Sequence, residues 1–299
     1  MKKNILLCLF FFSSFVLAPV FAEAKPLSVV ATFSILGDLV KQVGGDDVDV
    51  KTLVGPDGDA HAYKPTPKDS KALAEADLVI ENGLGFEGWV SRLVSASGFK
   101  GSVIIASKGV VPRQMDEEGK QIIDPHAWQD VSNTRIYIKN IASALGKALP
   151  EKAGAFNARA KAYDAELEKL DAWVKSEIGQ IPEGHRKIIT SHDAFGYFAA
   201  AYGVAFISPQ GISTEVEPTA RQVAKLIGQM KAEKIKRVFF ESMASPKLIS
   251  QLAKDAGASV GKPVYSDALS DADGSAETYI DMFRTNVEQF KEAMLLNGK

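Results

Sequence analysis

The sequence predicts an α/β fold of two pseudo-symmetric βα lobes with mainly parallel four-stranded sheets, connected by one long α-helix. Short β-branched runs alternate with stretches of helical period, the mark of βα units and a parallel sheet. These runs divide evenly, four on each side of the middle of the chain. Between the two groups stands a long segment of helical period with no Gly or Pro break after Gly154.

In chain order, Lys2 and Lys3 precede an apolar run from Ile5 to Ala18, and the small-residue sequence Ala22-Glu23-Ala24 follows. This order reads as a secretory signal peptide over 1–24, with the mature chain starting near Lys25. The only Cys, Cys8, lies inside the apolar run and not at the cleavage point. The mature protein is therefore expected to be soluble, without a lipid anchor and free of cysteine. Disulfides and thiolate ligands then drop out, and a metal site has to use nitrogen and oxygen.

Of 35 Lys and Arg and 37 Asp and Glu, the leader takes Lys2, Lys3 and Glu23, which leaves 33 and 36 and a formal charge of −3. That weak acidic balance is no electrostatic footprint for nucleic acid or for an anionic membrane. No second apolar run approaches the length of a bilayer span. The 275 residues after the leader suffice for two modest domains with cores.

The first lobe, 25–150, carries expected strands at Leu27 to Thr32, Val48 to Val54, Asp77 to Ile80 and Ser102 to Ala106. The connector, 151–181, has Phe156, Tyr163, Leu167, Leu170, Val174 and Ile178 spaced by seven, four, three, four and four, the stripe of one amphipathic helix. Such a helix runs about 40 Å, long enough to pack along both lobes. Its stiffness argues against large hinge closure. The second lobe, 182–299, carries expected strands at Lys187 to Thr190, Val204 to Ile207, Arg237 to Glu241 and Pro263 to Ser266. Thr66-Pro67 and Ser245-Pro246 each place a capping hydroxyl before a proline suited to the first helical position.

Only four histidines occur, and three sit in loops beside turn residues. His61 lies in Gly55-Pro56-Asp57-Gly58-Asp59-Ala60-His61-Ala62-Tyr63, just after a predicted strand. His126 lies in Asp124-Pro125-His126-Ala127-Trp128 ahead of a helix, and His192 in Thr190-Ser191-His192-Asp193 at a strand end. In open α/β sheets ligands bind outside the carboxyl ends of the strands, so two facing lobes would gather these loops at one cleft. A metal-bound imidazole needs an acceptor for its other ring nitrogen, and Asp124 and Asp193 are the candidates, with helix capping as their ordinary role. His185, beside Arg186, reads as solvated. Asp57-Gly58-Asp59 reads as a turn, since the later ligands of a calcium loop are absent.

The His61 loop with Pro65-Thr66-Pro67, the Asp124-Pro125-His126-Ala127-Trp128 motif, the long connector, Thr190-Ser191-His192-Asp193-Ala194-Phe195-Gly196-Tyr197 and Tyr265-Ser266-Asp267-Ala268-Leu269 together resemble the zinc/manganese solute-binding proteins of ABC transporters. The resemblance spans nearly the whole mature chain. It implies two lobes on a rigid helix closing four protein ligands around one ion per chain. Matched motif by motif, the ligands fall on His61, His126, His192 and Asp267. Spacing alone does not single out Asp267 among Asp255, Asp267, Asp271 and Asp273.

Three imidazoles and a carboxylate suit the tetrahedral shell of Zn2+ at bonds of about 2.0–2.2 Å. Mn2+, the alternative ion, prefers more oxygen. Manganese receptors similar to this chain often have glutamate in the third position, where His192 stands here. Many zinc receptors of this type carry a histidine-rich loop, whereas the stretch Arg113 to Ile123 has no histidine and reads as a solvated turn around Gly119. The expected function is that of a periplasmic receptor, not an enzyme, delivering metal to a cognate ABC permease in the inner membrane, as a monomer. A secreted zinc hydrolase would need an open coordination position and a base, for which Glu215, Glu217 and Glu241 are the nominal choices. No His-Glu-x-x-His pair or Gly-x-Ser-x-Gly elbow accompanies them, and no adhesive surface is identifiable.

Overall fold

A continuous apolar run makes β1 (Leu27–Phe33) the central strand of the first sheet, because only a strand covered on both faces buries Val29, Val30 and Ala31 alike. In the computed structural model, which describes residues 25–117, 119–211, 214 and 218–297, β1 is followed by α1 (Ser34–Gly44), β2 (Val48–Val54) and α2 (Pro67–Ala74). Then come β3 (Leu78–Glu81), α3 (Val90–Ser97) and β4 (Ser102–Ile105). The strand order is β2-β1-β3-β4, all parallel. The order reverses direction at β1, which opens a crevice beyond the strand ends. The signal peptide expected over 1–24 lies outside the described residues, as do Glu215 and Glu217.

After β4 the chain forms an antiparallel hairpin, β5 (Gln114–Glu117) and β6 (Lys120–Ile123), where sequence reasoning expects a solvated turn. Gly119, at φ 82°, does occupy the turn, since that left-handed backbone favours a residue without Cβ. The hairpin is largely exposed, as expected, but its base is tied into the fold: Asp124 N donates to Arg113 O at 3.0 Å, and Arg113 N donates to Tyr197 Oη at 2.8 Å.

The chain continues through α4 (Val131–Ala148) into α5 (Ala153–Gly179), the long connector, which is 27 residues. All six apolar positions of its stripe are buried, with Ala160 between them. It packs on α1 and α4 of the first half. Farther along, it packs on α6 (Gly196–Tyr202) and on the C-terminal helix, and α6 follows β7 (Lys187–Ile189). One apolar cluster therefore runs from Leu27 to Met294 across both halves.

Beyond α6 lie β8 (Ala205–Ile207), α7 (Ala220–Ala232), β9 (Arg237–Val238), α8 (Lys247–Ala256), β10 (Ser259–Val260) and α9 (Tyr279–Leu296). The parallel pairs β7–β8 and β9–β10 are linked where Phe239 N donates to Ile189 O at 2.9 Å. The strand expected at Pro263 to Ser266 is reduced to a single bridge, Glu241 with Val264, because the following residues turn away toward the first half. Helix α8 starts at Lys247 with Pro246 as its cap residue, one position later than Ser245-Pro246 suggests. A second, smaller apolar cluster, including Leu226, Met230, Ile249 and Leu252, lies under α7 and α8. Among the described residues no helix is long and apolar enough to cross a membrane.

Leu167 sits fully buried in the α5 stripe. Leu167→Ala should lower stability by about 2–5 kcal/mol, read as a shifted urea midpoint with an unchanged slope.

Candidate metal centre

Four loops converge on one point between the halves. His61 follows β2, and Asp59 Oδ1 shapes its loop by accepting from His61 N at 2.9 Å and Ala62 N at 3.2 Å, a side-chain turn of the kind short acids favour. Trp89 Nε1 donates to Ala60 O at 2.9 Å, and the Phe86 ring meets the His61 ring edge-on at 4.7 Å. His126 follows β6. Asp124 Oδ1 accepts from both its backbone N and its Nδ1, at 3.0 and 2.9 Å, while Asn82 Nδ2 donates to Pro125 O at 2.9 Å.

His192 follows β7, and its Nδ1 donates to Glu241, a buried carboxylate just beyond β9. Asp267 comes from the second half, yet its loop is tied to the first. Ser266 O accepts from Trp128 Nε1 and Gln129 Nε2 at 2.8 and 2.7 Å, and Leu269 N donates to Ser34 Oγ at 2.9 Å. Leu269 O in turn accepts from Asp57 N at 2.9 Å.

These ties bring His61, His126, His192 and Asp267 together, with one potential ligand atom from each lying within 4.8 Å of the others. His61 Nε2 is 3.2 Å from His126 Nε2 and 3.3 Å from Asp267 Oδ2. His192 Nε2 is 3.2 Å from Asp267 Oδ2, and His126 Nε2 is 3.7 Å from Asp267 Oδ1. A tetrahedral shell with bonds of about 2.0–2.2 Å separates its ligand atoms by about 3.3–3.6 Å, so the spacing suits one small cation. His126, His192 and Asp267 are fully buried, and His192 Nε2 and both Asp267 oxygens lack a hydrogen-bond partner. Orphaned buried polar atoms of this kind are rare unless something fills the space between them. His185 lies elsewhere, in the turn Glu183–His185, and its carbonyl accepts from Asn297 Nδ2.

Burial alone pushes the Asp267 carboxyl up, but the imidazoles of His192, His126 and His61 around it hold it well below the usual carboxylate range. Burial pushes the His61 ring below the ordinary imidazole value against the opposing pull of Asp267. Burial also opposes charge on His192, yet Glu241 and Asp267 overcome it and raise His192 well above the ordinary imidazole value.

Of the two expected acceptors for the outer ring nitrogens, Asp124 serves His126. For His192 the acceptor is Glu241 and not Asp193, whose backbone N donates to Gly211 O at 3.1 Å. Glu241 is 49 residues from His192 in sequence, and its one legible signal is an acid ending the apolar run Val238-Phe239-Phe240.

Two βα lobes on a stiff shared helix, with a buried cluster of imidazoles and a carboxylate between them, define a class, the metal-binding substrate receptors of ABC transporters. The chain belongs to the family described as zinc-uptake complex component A, periplasmic (ZnuA), whose model matches residues 29–293. It is 34% identical over 276 residues to the manganese-binding lipoprotein MntA of Bacillus subtilis, covering 90% of each chain. It is 33% identical over 282 residues to the iron ABC transporter substrate-binding lipoprotein MtsA of Streptococcus pyogenes serotype M1, covering 91% of this chain and 90% of that one. The solved structure of the periplasmic zinc-binding protein TroA from Treponema pallidum superposes with a TM-score of 0.85 at 32% identity, over 90% of this chain and 99% of that one. These relatives are named for three different ions, so membership establishes the metal-receptor class and not the ion.

Beside the cluster, Glu87 accepts from Thr32 Oγ1 at 2.6 Å and Asn82 N at 2.7 Å, and burial pushes its carboxyl from 4.5 up to about 7. A carboxyl held higher in the folded than in the unfolded chain binds its proton more tightly when folded. Its contribution is therefore fully present below 4.5 and is lost as pH rises through 7. The loss amounts to about 3 kcal/mol. Glu87→Gln should remove this slope, so that denaturant unfolding of the metal-free protein shows the variant gaining on wild type from pH 5 to 8. A gap that does not change with pH would contradict the assignment.

Proposed function

We propose that the protein captures one zinc ion in the periplasm with His61, His126, His192 and Asp267 and delivers it to a cognate ABC permease. The observation that carries this reading is three imidazole nitrogens and one carboxylate, buried at tetrahedral spacing, with His192 Nε2 and both Asp267 oxygens lacking hydrogen-bond partners. Each imidazole contributes a neutral nitrogen and Asp267 contributes charge, a donor set that suits zinc. With all four positions taken by protein, the shell has no open site for a reacting water, which favours a carrier over a hydrolase. The apolar leader and the periplasmic or lipoprotein names of the relatives support capture outside the cytoplasmic membrane.

One observation favours a second ion. Both Asp267 oxygens face imidazole nitrogens, and a bidentate carboxylate would supply a fifth donor atom of the kind manganese or ferrous iron prefers.

Parallel titrations of the metal-free protein with zinc and manganese against a competing chelator distinguish these readings. One zinc per chain, bound far more tightly than manganese, is the expected outcome. Comparable manganese affinity would move the assignment to manganese, and no stoichiometric binding of either ion would overturn the ligand set. Replacing any one of the three histidines by Ala should weaken zinc more than the 10–100-fold typical of losing a supporting group.

Protons compete with metal for imidazole nitrogen, so zinc affinity should fall as pH drops from about 7 to 5. Calorimetry in buffers of different ionisation enthalpy should show proton release on binding, and a flat affinity over that range would contradict three imidazole ligands.

A further inference from the structure

We propose that Glu241 is a positioning residue that prepares His192 and Asp267 together for the ion, an inference that rests on the ligand set above. Its carboxylate is fully buried. Oε1 accepts from the backbone N of Ser191 at 2.8 Å and of His192 at 3.2 Å, and Ser191 Oγ accepts from Glu241 N at 3.3 Å. Oε2 accepts from His192 Nδ1 and from Ser266 Oγ at 3.4 Å. One side chain thus holds the peptide of His192, its ring, and the residue preceding Asp267.

Nδ1 is the ring nitrogen that faces the Glu241 carboxylate, so the proton of that contact sits on Nδ1. Nε2 is then the ring nitrogen turned toward Asp267, 3.2 Å away, and the one available to an ion. Asp124 holds His126 in the same way, but its other oxygen lies 3.5 Å from Arg113 Nη1, which offsets part of its charge. Among the described residues no Lys or Arg pairs with Glu241, and its only ion-pair contact is His192. No cation therefore competes with the His192 ring for the Glu241 carboxylate, and a carboxylate behind the outer nitrogen strengthens Nε2 as a donor to metal. Glutamine is the same shape but offers an NH2 to one of the two donor groups, so it cannot hold both the peptide and the ring.

The test compares Glu241→Gln, Asp124→Asn, Ser266→Ala and His192→Ala with the wild type. Thermal melts of the metal-free proteins establish folding. In the zinc-loaded wild type, NMR should show a hydrogen-bonded Nδ1 proton on both His126 and His192. Glu241→Gln should lose or shift only the His192 signal, weaken zinc 10–100-fold, more than Asp124→Asn does, and alter the visible spectrum of the cobalt-loaded protein. Ser266→Ala should keep the His192 signal and lose less affinity. An unaltered His192 Nδ1 signal with zinc affinity within about threefold in Glu241→Gln overturns the proposal. If Glu241→Gln does not fold, a zinc-loaded wild type without an Nδ1 proton on His192 overturns it equally. Full zinc affinity in His192→Ala would instead sink the ligand set itself, which separates the two failures.

Discussion

A carboxylate buried without a hydrogen-bond donor on either oxygen is among the more expensive things a fold can contain, and Asp267 is such a group. Three imidazoles face it, two of them backed by further buried carboxylates. Only a cation or protons between the ring nitrogens and the Asp267 oxygens balance this concentration of negative charge. Most of the surrounding structure follows from holding that arrangement: the Asx turn at Asp59, the Asp124 contact with His126, and the Trp128 and Gln129 donors that pin Ser266.

The scaffold that joins the two halves is the α5 connector. Its stripe is buried against helices of both halves, so one apolar cluster continues through the molecule. A flexible hinge would let the carboxylate and the imidazoles drift apart in the absence of metal. A shared core instead packs elements of both halves against the same helix. The Asp267 loop is unusual in this respect, since it leaves the second half and is hydrogen-bonded into the first at Ser34, Asp57, Trp128 and Gln129. The carboxylate is therefore positioned largely by the first half, and His192 by the second.

The β5–β6 hairpin shows where local reading falls short. Gly119 marks a turn and the described charged residues beside it are exposed, but nothing local shows that the hairpin base is tied to the second half. Arg113 and Asp124 close the hairpin base and meet Tyr197, so the hairpin braces His126 against the second half. Asp193 failed as the acceptor for His192 for a related reason. Adjacency in sequence does not decide which acceptor meets a ring nitrogen, and the chain beyond β9 brings Glu241 against His192 Nδ1.

Strand and helix periodicities, the connector stripe and the loop positions of three histidines were legible in the sequence because each is a local consequence of burial or turn chemistry. Asp267 was legible only through motif resemblance, as nothing local separates it from nearby aspartates. The tertiary structure decided what depends on contacts distant in the chain. It placed the four side chains at ligand spacing, joined the Asp267 loop to the first half, reduced the last strand to a bridge, and set Glu241 behind His192. Those outcomes depend on how two lobes pack along one helix, a property of the whole core that no short window of sequence contains.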